Sequence, residues 1–197
     1  MRLILASESQ RRRELLSRLD IPFEVEPAGI VEAFIPGEEV AAGVLRLSGE
    51  KADAVAKNHP GDLVVGADTV VVLGDRVLGK PTDATDAGQM LQALSGKTHT
   101  VLTGVTLICH DESHRSSFLE LTEVTFHHID QEDIYYYVSQ HSPLDKAGAY
   151  GIQDWSGVFV SGIKGCYHNV MGFPLARFHQ HLKSAGLFEA VQSINNL

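Results

Sequence analysis

With 197 residues, 44% of them hydrophobic and 21% charged, the chain carries enough apolar material for a full core, which excludes disordered and fibrous classes. Its 25 acidic residues outweigh 16 basic ones, and a net charge of −9 argues against a protein that coats nucleic acid or an anionic membrane through its overall field. Two cysteines, Cys109 and Cys166, stand outside any CxxC pair, which points away from a disulfide framework and toward a reducing cytoplasm. The N-terminal apolar run is about four residues, shorter than the roughly 7 to 15 of a secretory core. Asp68 interrupts the longest apolar stretch, so no membrane span is expected.

Leu3 to Ala6 is short, apolar and followed by serine, as a buried strand is, and Leu15, Leu16 and Leu19 then recur at helical spacing. Ser7 with Gln10 has the form of a capping box, which predicts a helix starting among residues 7–10 with Arg11, Arg12 and Arg13 in its first turn or two. Basic residues there oppose the helix dipole, at roughly 0.3 to 1 kcal/mol each when exposed, whereas an anion would be held by the free N–H groups. A phosphate satisfies both the arginines and the helix end.

After a strand-like FEVEP, residues 38–58 read as one long helix or two broken ones, closed by His59-Pro60-Gly61. Leu63 to Leu73 gives two apolar runs around Gly66-Ala67-Asp68-Thr69, and LGDRVLG reads as a hairpin turn. Residues 83–94 predict a helix with Gly96 just past its end, and 98–109 and 116–127 predict long strands. Residues 130–139 predict a short helix opened by acidic residues, in which only one or two of Tyr135, Tyr136 and Tyr137 can face a core. A glycine-rich segment (DKAGAYGIQDWSG), a strand in VFVSGIKG and a last helix over residues 174–184 complete the chain. The alternation predicts an α/β fold with a mixed, twisted sheet.

GDRVLGK matches a phosphate-binding loop as far as Lys80, but Pro81 replaces the Ser or Thr of that motif and the context is a hairpin. His110 and His114, four apart, lie in a polar turn without the glutamate or the helix of a zinc-binding HExxH, and with the adjacent His127 and His128 they read as loop or surface residues. Asp68, an acid inside a run of valines, is either a turn residue satisfied locally or a carboxylate placed at the bottom of a cleft. Glu32 and Lys51 mean little in isolation. The segment 144–153, small residues ending in the amide of Gln153, suits either a backbone that approaches a ligand or a plain loop.

Taken together, LILASESQRRRELL, AGIVE, GEKADA, VVGADTVVVLGDRVLGKP, LSGKTHTVLTGV, PLDKAGAYGIQ and YHNVMGFPL occur in the order and at the approximate spacing of the Maf family of nucleoside triphosphate pyrophosphatases. The resemblance runs over about residues 3–182. It implies one Maf-like domain over residues 1–197, with an elongated mixed twisted sheet, flanking helices and two lobes around a deep cleft, as in inosine triphosphate pyrophosphatases. It also implies a divalent cation (magnesium or manganese), a homodimer, a cytoplasmic location and a nucleoside triphosphate substrate, with neither nucleic acid nor membrane as partner.

By position, the resemblance makes Asp68 the proton acceptor for the attacking water and places Ser7, Arg12, Glu32, Lys51 and Lys80 around the triphosphate and metal. Glu32, Lys51 and Lys80 join Asp68 as catalytic residues, and Glu32 and Asp68 are the metal ligands. Arg11, Thr69 and Gln153 match positions that bear on base choice, in the combination of the subgroup acting on dTTP and UTP. Gln153 offers both the donor and the acceptor that the uracil or thymine edge requires. The sequence departs from the commonest opening motif in having Gln10 in place of proline and a third arginine, Arg13. Competing expectations are a wider range that includes modified pyrimidine nucleotides, and a nucleotide-sensing regulator of septum formation or division arrest without significant turnover.

Overall fold

The structure, a computed structural model, describes residues 1–192. In chain order, β1 (Leu3–Ala6) leads through α1 (Gln10–Ser17) to β2 (Phe23–Val25). The helix α2 (Val40–Ala56) precedes β3 (Leu63–Leu73), β4 (Arg76–Leu78) and α3 (Ala84–Leu94). Two long strands, β5 (Thr98–Cys109) and β6 (His114–Phe126), are followed by α4 (Gln131–Gln140), three short 3-10 turns, β7 (Val160–Lys164), α5 (Tyr167–Val170), α6 (Leu175–Ser184) and α7 (Phe188–Gln192). The seven strands make one mixed sheet in the order β2-β1-β3-β5-β6-β7, with β4 paired on β3.

β1 runs parallel to both of its neighbours, Leu3 lying opposite Phe23 on one side and Leu63 on the other. That central position explains the unbroken LILA: a strand covered on both faces has no place for alternating polar residues. β3 and β4 are antiparallel, Leu73 opposite Arg76, and the turn passes through Gly74 at φ +59°. GDRVLGK is therefore a hairpin, as expected, and not the strand-to-helix turn of a phosphate-binding loop.

The chain divides into two compact units. The first contains Met1–Asp68, Thr103–Glu120 and the described residues from Gly172 to Gln192; the second contains Thr69–Leu102 and Leu121–Met171. In the first unit α2 rests directly on strand backbone. A Cβ added to Gly66 of β3 would run into Ser48 O and lie 2.7 Å from Ala52 N, and one added to Gly104 of β5 would lie 2.8 Å from Val44 O. A buried hydroxyl contact, Ser48 Oγ to Thr106 Oγ1 at 2.8 Å, fixes the register of helix on strand. Ile4, Ala6, Ala52, Val55, Val64 and Ile108 form the core there. Residues 40–56 make a single helix, which settles the one-or-two alternative. The helix over residues 175–184 is not the last: α7 follows and packs on α6, with Leu187 and Val191 buried. The expected domain extends to Leu197, and residues 193–197 lie outside the described ones.

In the second unit α3, α4 and the strand segments enclose Val71, Leu91, Val124, Phe126, Tyr137, Tyr150 and Phe159. The helical period places Tyr137 inside and leaves Tyr135 and Tyr136 exposed, as expected. Asp83 caps α3 by accepting from Asp86 N, and Gly96 at φ +68° follows its end.

Candidate active site

Ser9, not Ser7, caps α1. Its side chain accepts from Arg12 N at 3.4 Å, and α1 begins at Gln10. The capping-box pattern points to the wrong serine because SES offers two hydroxyls a helix start can use, and spacing alone does not separate them. Ser7 is thereby released from the helix end. Its Oγ accepts from Ser9 N at 3.2 Å and from Arg12 Nη1 at 3.2 Å.

The three arginines separate sharply. Arg13 is exposed, Arg11 is half-buried, and Arg12 is buried at 8% exposure with its Nε donating to Gly172 O at 3.0 Å. Burial pushes the Arg12 guanidinium below its ordinary pKa and neighbouring Arg11 pushes the same way, while Asp68 and Glu32 oppose the shift. A guanidinium held out of water beside another cation is costly unless anions face it.

Those anions are Asp68 and Glu32. Asp68 lies within the extended strand β3, 5% exposed, and Lys51 Nζ reaches its Oδ1 at 2.7 Å. The turn alternative for Asp68 is thereby removed, because its partner comes from a helix 17 residues away and not from the local chain. The same Nζ lies 2.9 Å from Glu32 Oε2, so one buried ammonium bridges two carboxylates. A buried ion pair seldom adds net stability over apolar packing, so the buried cluster of Arg12, Lys51 and Asp68 is a candidate functional site.

Two features that the sequence pattern does not reveal assemble this cluster. The glycine seats place Lys51, which lies between the Ser48 and Ala52 contacts on Gly66, directly over β3 two residues before Asp68. Glu32 sits in the long segment between β2 and α2, and Arg46 of α2 holds that segment: Nη2 donates to Ala33 O at 3.0 Å and to Glu38 Oε2 at 2.7 Å. Glu38, held by Arg46, is pushed down to about 2.

Ser7, Arg12, Glu32, Lys51 and Asp68 thus come together in the first unit, with Arg11 on the same helix. Thr69, Lys80 and Gln153 belong to the second unit. Thr69 is half-buried, and Lys80 is exposed just past β4. Gln153 is exposed in the glycine-rich segment, whose Gly148 N donates to Gly79 O at 3.0 Å, next to Lys80. Gly148 takes φ +68° and a Cβ there would lie 3.0 Å from Val71 Cγ2, so this stretch packs its backbone closely against β3.

A family model described as Maf-like protein matches residues 2–185. The chain belongs to the Maf family. A Bacillus cytotoxicus relative named dTTP/UTP pyrophosphatase is 47% identical over 180 residues, covering 91% of this chain and 93% of its own length. A Bacillus mycoides relative of the same name is 45% identical over 182 residues, 92% of this chain and 94% of its own. Among solved structures, a HAM1 protein from Coxiella burnetii superposes with a TM-score of 0.52 at 13% sequence identity, over 93% of this chain and 99% of that one. That likeness shows a shared mixed α/β fold. In this Maf chain Arg12, Glu32, Lys51 and Asp68 and the glycine seats at Gly66 and Gly104 fall in LILASESQRRRELL, AGIVE, GEKADA, VVGADTVVVLGDRVLGKP and LSGKTHTVLTGV, five of the stretches that carried the resemblance.

Proposed function

We propose that the chain is a nucleoside triphosphate pyrophosphatase that hydrolyses dTTP and UTP to the nucleoside monophosphate and pyrophosphate. The observation that carries the reading is the cluster in which buried Lys51 bridges buried Asp68 and the exposed Glu32 beside buried Arg12. The names of the relatives support the substrate assignment.

In this reaction water attacks the α-phosphorus, the bond from that phosphorus to the α,β-bridging oxygen breaks, and pyrophosphate leaves with the electron pair. Asp68 takes the proton of the attacking water. Charge builds on the phosphates in the transition state, and Arg12, Lys51 and Lys80 neutralise it. A bound triphosphate gives Lys51 a stronger anionic partner than a carboxylate, which frees Asp68 to act as base. Arg11, Thr69 and Gln153 select the pyrimidine, and Ser7 keeps Arg12 oriented through the 3.2 Å contact.

The donor set also fits a hard divalent cation. Two carboxylates converge on one cationic position, and magnesium is commonly held by one or two carboxylates together with substrate phosphates. Among the described residues no group of three or more His, Cys, Asp and Glu side chains is arranged to hold a metal ion, so phosphate oxygens would complete the shell held by Glu32 and Asp68. When bound, magnesium or manganese supplies charge neutralisation across phosphate oxygens and acidifies water.

We read residues 1–197 as one functional domain, acting as a homodimer in the cytoplasm, on the strength of the family; light scattering of the purified protein measures the assembly. No described helix is long and apolar enough to cross a membrane. The test of function is a panel of all common NTPs and dNTPs with magnesium or manganese. Conversion confined largely to UTP and dTTP, and lost in Asp68→Asn, supports the reading. Binding without turnover of any nucleotide supports a sensor instead.

A further inference from the structure

The turn that carries Gln153 is held more firmly than an exposed amide needs. Asp154 N donates to Gly151 O at 3.0 Å, closing a four-residue turn with Ile152 and Gln153 at its centre. Ser156 is fully buried; its Oγ accepts from Gly151 N at 2.9 Å and lies 2.6 Å from Asp154 Oδ1 and 3.0 Å from Gly151 O. With one proton to give and a carboxylate at the shorter distance, the hydroxyl donates to Asp154. Asp154 Oδ1 also accepts Ser156 N at 2.9 Å, and Oδ2 faces Lys146 Nζ at 3.5 Å and Tyr137 OH at 3.4 Å.

Lys146 closes the other side. Its buried Nζ donates to Ser142 O at 2.5 Å and Asp145 Oδ1 at 2.7 Å, and its stem runs across Gly151, where an added Cβ would lie 2.9 Å from Lys146 Cε and 3.0 Å from Asp154 Oδ2. Gly151 is therefore gripped at its N–H, its carbonyl and the face where a side chain would stand. The residues that follow it directly in the turn are Ile152 and Gln153.

We propose that Ser156 and Lys146 are positioning residues that aim the Gln153 amide, so that pyrimidine selection depends on this clasp as well as on the amide. The inference rests on the reading that Gln153 recognises the base. An amide distinguishes uracil or thymine from cytosine only if its donor and acceptor are presented in one orientation, because rotation by half a turn exchanges them. A turn released from this clasp would present the amide in more than one orientation, which weakens binding of the base without altering the reacting groups. A clasp that served only folding would change stability and leave nucleotide preference alone.

The experiment is steady-state kinetics with UTP and CTP on the full chain, comparing wild type, Ser156→Ala, Gln153→Ala and the double variant. Ser156→Ala is expected to raise KM for UTP on the order of tenfold with kcat changed by less than about twofold, and to lower the UTP-over-CTP preference. In the Gln153→Ala background it is expected to lower that preference no further, since both changes act through one amide. Lys146→Met gives the same readout and serves if Ser156→Ala does not fold. A wild-type UTP-over-CTP ratio in Ser156→Ala and in Lys146→Met, with Gln153→Ala reducing it, overturns the clasp alone. A wild-type ratio in Gln153→Ala overturns the base-recognition reading and this inference with it.

Discussion

Replacing Gly66 with alanine should pull apart the Lys51–Asp68 pair without touching a charged residue. The added methyl would meet Ser48 O and lie 2.7 Å from Ala52 N and 3.0 Å from Ala52 Cβ, where ordinary contact begins near 3.4 Å. The obstacles at Ser48 O and Ala52 N are helix backbone, so no rotamer change relieves them; α2 must retreat by about 1 Å from β3. Overpacking of this kind costs about 1 to 3 kcal/mol, and the clash with two backbone atoms places the expected loss at the upper end of that range. Lys51 lies between the two contact points and would be drawn off Asp68, for which a loss of about 10²-fold in turnover is expected. Urea denaturation followed by circular dichroism gives the stability change, and pyrophosphate release from UTP gives the rate. Gly162→Ala on β7, where an added Cβ meets nothing within 4 Å, is the matched control and should leave both near wild type. If Gly66→Ala retained the wild-type denaturation midpoint and rate, the close seat of α2 on β3 would not be what places Lys51.

Lys51→Met should destabilise the fold by about 3 to 5 kcal/mol, because it leaves Asp68 buried without its ammonium, and should abolish turnover; adding Asp68→Leu should recover much of the stability in urea but none of the activity. Arg46→Ala should alter stability by less than about 1 kcal/mol, yet should raise the metal concentration needed for half-maximal activity, because the segment bearing Glu32 loses its tie at Ala33 O. Burial lowers His99 to about 4. It is neutral when folded and ordinary when unfolded, so the unfolded state binds more protons between about pH 6.5 and pH 4. Stability should fall as pH falls through that window, by about 3 kcal/mol from His99, with His181, also lowered by burial, adding in the same direction. The pH dependence of urea unfolding should be shallower in His99→Gln; equal slopes would refute the assignment.

Local elements were legible in the sequence where one signal decided them. The continuous apolar run of β1, the tyrosine period of α4, the Gly96 stop of α3, and the Gly74 hairpin each follow from a single chemical constraint. Where two neighbouring residues could meet the same constraint, as with Ser7 and Ser9, spacing could not choose between them. The α7 helix was missed because five residues carry too little periodicity to register.

The site divides in the same way. Asp68 stood out as an acid among valines, but whether it was a turn residue or a placed carboxylate depended on Lys51, 17 positions away on another element. The supporting parts left weaker marks still. Gly66 and Gly104 read as ordinary strand glycines until the helix above them is seen, and Arg46, Ser156 and Lys146 are common residue types whose roles exist only in their partners. A signal that could have pointed to the seats was glycine inside two otherwise β-branched strands, which marks close approach of another backbone.

The most direct test of the central claim is hydrolysis of UTP in water enriched in oxygen-18, with the products resolved by mass spectrometry. Attack on the α-phosphorus with Asp68 as base predicts one labelled oxygen in UMP and none in pyrophosphate, with product formation abolished in Asp68→Asn. Label in pyrophosphate, release of free phosphate, or full activity in Asp68→Asn would contradict the account.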